Sequence, residues 1–139
     1  MRKLHTLAFA LIGLVLIVPA ASGAQIIQSH EGVIQTYNKT SYKVWITVYD
    51  LGKTRHLDYG MVEPHDVRDW KSGGYLWGSY YHVRGEVIDA KTDKHVFDTT
   101  IQVTPHLCYG MDNVPTPTIS VNLVKGTGES FYWEKNDRC

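Results

Sequence analysis

The clearest alternation of apolar and polar positions runs from Tyr42 to Asp50. Tyr42, Val44, Ile46 and Val48 share one side, and Lys43, Trp45, Thr47 and Tyr49 the other. A period of two in β-branched and aromatic residues is the pattern of a half-buried strand. The first side is core. The second carries two large aromatics beside a lysine and a threonine, more apolar than a face given wholly to water, so Trp45 and Tyr49 mark a covered or binding surface. After a turn at Asp50-Leu51-Gly52-Lys53, the segment Arg55 to Val62 alternates again and predicts a hairpin partner, with Leu57, Tyr59 and Met61 on one side and His56 and Asp58 on the other.

The most secure hairpin comes later. Ser79 to Asp89 places Tyr81, Val83 and Val87 inward and Tyr80, His82, Arg84 and Glu86 outward. A polar turn, Asp89 to Lys94, leads to His95 to Thr104, with Phe97, Thr99, Ile101 and Val103 inward and Asp98, Thr100 and Gln102 outward. Ile119 to Val124 and Phe131-Tyr132-Trp133 supply two further strands, while Gln25 to Asn38 reads as two short extended pieces broken at Gly32. Pro64 and Pro105 interrupt the ladder pattern, because proline has no N–H to donate. Val67 to Lys71 therefore reads as a polar connection, and the passage from Cys108 to Pro117 as irregular.

Six to eight strands at a spacing of roughly ten residues, with no long helical periodicity beyond the first residues, predict a single antiparallel β-sandwich over 25–139. Through the Val87 to Val103 hairpin and the Tyr42 to Asp50 strand, the general layout resembles immunoglobulin-like or transthyretin-like sandwiches. The resemblance is one of architecture. The immunoglobulin spacing of two cysteines around a tryptophan is absent, and such a fold does not by itself fix a function.

The opening residues change the picture of where the chain goes. A basic start, Met1-Arg2-Lys3, precedes an apolar run from Leu7 to Val18 and a small-residue exit ending at Ala24. The run is too short for the ~20 residues a bilayer span needs, so 1–24 reads as a signal peptide cleaved before Gln25 and the protein as secreted or periplasmic. The remaining 115 of 139 residues suit one domain with its own core. Without Arg2 and Lys3, 12 basic residues face 14 acidic ones and no cluster of like charge exists, which argues against a nucleic-acid surface. Cys108 and Cys139, an even pair in an oxidising compartment, predict one disulfide. The rival reading of Cys108 is a thiolate activated by His106.

Candidate chemistry is thin. The mature histidines show no paired ligand spacing, and no Cys-x-x-Cys or Gly-x-Ser-x-Gly occurs, so neither metal nor cofactor is expected. Glu86 and Asp98 lie on the outer faces of paired strands, where cross-strand charge pairing competes with any hydrolytic role. Asn38-Lys39-Thr40 matches the glycan-acceptor pattern in a turn. The strongest lead is aromatic: Trp70, Tyr75, Trp77 and Tyr80 fall close together and, with Trp45 and Tyr49, offer flat rings for a sugar or a protein partner. The bland alternative is that Trp70 and Trp77 close one end of the core. The expected function is binding to a glycan or protein. The rivals are a small secreted hydrolase, an inhibitor or toxin directed at another protein, and a self-associating structural protein.

Overall fold

The computed structural model describes residues 29–50, 52–53, 55–74, 76 and 80–139. The predicted signal peptide, Tyr75 and Trp77 lie outside the described residues. Those described form nine strands and no helix: β1 (Val33–Asn38), β2 (Lys43–Tyr49), β3 (His56–Val62), β4 (Val67–Trp70), β5 (Tyr81–Ile88), β6 (His95–Val103), β7 (His106–Tyr109), β8 (Pro115–Lys125) and β9 (Phe131–Lys135). They build two sheets packed face to face, a β-sandwich.

One sheet runs β3-β2-β5-β6, antiparallel throughout. The other runs β4-β1-β8, with β7 and β9 on the far edge of β8 against its first and second halves. Within it β1 lies parallel to β8, Ile34 opposite Ile119 and Thr36 opposite Val121. The alternation in sequence becomes the wall of the core: Val44, Ile46, Val48, Val83 and Val87 from one sheet meet Ile34, Ile119, Val121 and Leu123 from the other, all fully buried. Each such aliphatic side chain taken out of water contributes about 1.5–3 kcal/mol.

Three local devices fix the frame. Asn38 is fully buried; its amide donates to the carbonyls of Tyr42 and Glu63 at 2.7 and 3.1 Å, and its oxygen accepts from the backbone N–H and hydroxyl of Thr40. The glycan-acceptor motif is thus a turn lock with no room for a sugar. Gly85 on β5 faces Trp133 of β9, where an added Cβ would stand 2.9 Å from the indole. The indole N–H then donates to the Thr99 carbonyl at 3.2 Å, tying the two sheets together along the β6 side. Tyr42 meets Phe131 edge-on at 5.0 Å between ring centres.

Two predicted connections are strands. Val67–Trp70 pairs with β1, and His106–Tyr109 pairs with the start of β8. Both are four-residue edge strands too short for alternation to reveal. A register shift at Val48/Tyr49 also splits the group Leu57, Tyr59 and Met61: Leu57 packs against the core, while Tyr59 and Met61 stand on the outer face opposite Thr47 and Trp45. A bulge is one extra residue on one strand, invisible to a strict period of two.

Candidate binding face

The outer face of β3-β2-β5-β6 is a grid set by strand register. Met61, Trp45, Glu86 and Asp98 form one row; Tyr59, Thr47, Arg84 and Thr100 the next; His56, Tyr49, His82 and Gln102 the third. Aromatic residues occupy the β3-β2 half and polar residues the β5-β6 half. Trp45 and Tyr59 lie 5.7 Å apart with planes tilted by 38°, and His56 meets Tyr59 edge-on at 5.1 Å. Tyr59 is 51% exposed, which leaves a ring open to a partner on a sheet too rigid to collapse around it.

Arg84 anchors the polar half. Its Nε donates to both Asp98 oxygens at 3.1 and 3.2 Å and its Nη2 to Oδ2 at 2.5 Å, with Glu86 Oε1 at 3.5 Å from Nη2. Hydrogen bonding to Asp98, and next to Tyr49, raises the Arg84 pKa well above its usual value. The same bonds hold the Asp98 carboxyl below the ordinary carboxylate range. A carboxylate kept ionised and already bidentate on a guanidinium is a poor proton donor, so this pair presents fixed hydrogen-bonding edges rather than an acid and a base. Glu86, His95 and Asp98 do bring three ligand atoms within 4.8 Å of one another, but Arg84 lies against both carboxylates, and a cation there meets its positive charge. In the third row His82 Nδ1 is buried and without a hydrogen-bond partner among the described residues.

The sequence-predicted residues divide. Trp45 and Tyr49 come together on this face through β2, and Tyr80, 57% exposed, immediately precedes β5. Trp70 leaves the group: it is 5% exposed within the core, its indole N–H donates to Thr36 Oγ1 at 2.9 Å, and the Arg68 guanidinium lies 4.4 Å from its ring centre. Tyr75 and Trp77 lie outside the described residues. Tyr59 and Arg84 were not singled out by sequence; the signal was available in the outward parity of Arg84 and Asp98, but Tyr59 needed the bulge. A second exposed group, also missed, is Leu107, Tyr109 and Met111 on β7 and the turn after it.

The cysteines form one disulfide, Cys108–Cys139, with Cα atoms 5.6 Å apart, and no free cysteine remains among the described residues. The thiolate reading of Cys108 is therefore overturned: its sulfur is consumed. No protein-family model, curated protein or solved structure matches the chain.

Proposed function

We propose that the protein is an exported, non-catalytic binding domain that holds a glycan on the outer face of β3-β2-β5-β6. The observation that carries this reading is the side-by-side arrangement of the Trp45–Tyr59 ring pair and the Arg84–Asp98–Glu86 group on one rigid surface. A sugar ring has an apolar C–H face and a rim of hydroxyls. The first suits an aromatic ring, and the second suits fixed charged donors and acceptors whose hydrogen bonds are stronger than neutral ones. Export is supported by the leader composition and by a disulfide of the kind that persists in oxidising compartments.

An oligosaccharide array probed with the purified domain tests the reading. Binding is expected to fall at least tenfold in Trp45→Ala and in Tyr59→Ala, with urea midpoints close to the wild type, and to persist in Tyr132→Ala on the opposite sheet. Loss in Tyr132→Ala with retention in Tyr59→Ala contradicts it. A protein partner is the second reading, favoured by the exposed Leu107, Tyr109 and Met111. It predicts that Tyr109→Ala removes capture of that partner while glycan binding is unchanged.

A further inference from the structure

The corner around the disulfide holds more than a crosslink. Strand alternation along β7 puts His106 and Cys108 on the same side of the strand, and the two sulfurs and one His106 ring nitrogen all lie within 4.8 Å of one another. His106 Nε2 is buried and has no hydrogen-bond partner among the described residues. Its Nδ1 lies 3.7 Å from an Asp137 carboxylate oxygen. A carboxylate near one ring nitrogen favours the proton there and leaves the other nitrogen's lone pair free, which is the arrangement metal-binding histidines use. A groove of about 380 Å³, lined by Cys108 and Cys139 together with Thr118, Ser120, Asn136 and Arg138, opens beside the sulfurs.

We propose that this corner is a latent zinc site, in which Cys108, Cys139 and His106 bind one Zn²⁺ once the disulfide is reduced. Reduction by a dithiol breaks the S–S bond and gives two protein thiols and one small-molecule disulfide. Zinc binding then releases the two thiol protons to solvent and leaves two thiolates and a neutral imidazole on the metal. Three protein ligands of this kind, two sulfur and one nitrogen, with water from the groove in the fourth position, form a donor set zinc accepts. Once reduced, the sulfurs must stand about 3.8 Å apart to sit at ~2.3 Å from one tetrahedral ion. Cys139 is exposed and follows β9 outside any strand, so its sulfur can make that move without breaking a ladder. Asp137, its carboxylate within ion-pair distance of Nδ1, serves in this proposal as the positioning residue for the imidazole.

The test uses Co²⁺ as a spectroscopic stand-in for zinc, added without oxygen to the full exported domain before and after phosphine reduction. The reduced protein is expected to bind one equivalent with intense thiolate-to-cobalt charge-transfer absorption that Zn²⁺ abolishes, and the oxidised protein to show none. His106→Ala, checked for folding in its oxidised form, is expected to weaken binding at least tenfold, and Asp137→Asn about tenfold. If reduction loosens the fold, zinc restores the native near-ultraviolet circular dichroism. Cobalt bound without charge-transfer absorption, affinity unchanged in His106→Ala, or reduced protein that neither binds nor responds to metal overturns the proposal.

Discussion

At the scale of single residues, environment decides which of the aromatic side chains are free to bind. Trp45 lies between the core residues Val44 and Ile46 and Trp70 between Asp69 and Lys71, yet Trp45 stands on the outer face beside Tyr59 and Trp70 is sealed against Thr36 and Arg68. Trp70→Phe keeps most of the packing and loses the indole hydrogen bond, leaving the Thr36 hydroxyl buried without that donor; the expected cost is about 1–2 kcal/mol in urea unfolding. Charge placement makes a second prediction. Asp98 is held low by Arg84, Asp89 by the backbone N–H groups of Thr92 and Lys91, and Asp112 by the Val114 N–H and then His30. A folded-state pKa below the unfolded value of about 3.9 contributes stability that is complete above that pH and lost as pH falls through the folded value. Urea midpoints are therefore expected to hold from pH 7 to about 5 and to drop below about 4, less steeply in Asp98→Asn; a flat profile down to pH 3 contradicts these assignments. None of these partnerships was legible in the sequence beyond the outward parity of Arg84, Glu86 and Asp98, because a hydrogen bond to a backbone N–H in a turn leaves no periodic signal.

Among the elements, the strands that read clearly are those long enough to show several alternations, central strands and the edge strands β3 and β6 alike. β2 and β5 sit in the middle of their sheet and β8 in the middle of the other, so each must bury one full side, strictly alternating in β5 and β8 and broken in β2 only by the buried Thr47. A four-residue edge strand gives alternation too little length to register. β4 reads Val-Arg-Asp-Trp and buries only Trp70, and β7 pairs along one side with just the start of β8. Their short sequences near Pro64 and Pro105 resemble connections because each is mostly solvated and proline interrupts the ladder beside it. Gly85 is a different kind of element-scale constraint, since it reads as a weakness in a strand until Trp133 is seen lying over it. Gly85→Ala brings a methyl to 2.9 Å from the indole and 3.1 Å from Val44. The expected result is destabilisation of about 1–3 kcal/mol from overpacking in a region that cannot relax freely, measured as a lower urea midpoint. Tolerance of alanine there would mean that the Trp133 contact does not hold the sheets together.

Across the whole molecule, fold class was legible and the candidate face only half so. Length, strand spacing and the paired cysteines were enough to indicate a disulfide-tied sandwich, because each follows from local pattern or count. The face was not, because a surface four strands wide is assembled from residues far apart in the chain, and one bulge moves Tyr59 to the side that matters. The disulfide ties β7 to the segment after β9 across a sequence separation of 31 residues. In the chain-entropy account such a loop contributes about 3–4 kcal/mol, so Cys139→Ser is expected to lower the unfolding free energy by roughly that amount. The proposed glycan site lies on the outer face of β3-β2-β5-β6. Backbone and indole resonances of the ¹⁵N-labelled domain, followed while an array-selected oligosaccharide is added, test that directly. Saturable shifts are expected at Trp45, Thr47, Tyr59, Arg84 and Asp98 with the β1 and β8 resonances still. Shifts confined to the opposite sheet around Gln35 and Ser120, or no shift with any oligosaccharide, would contradict it.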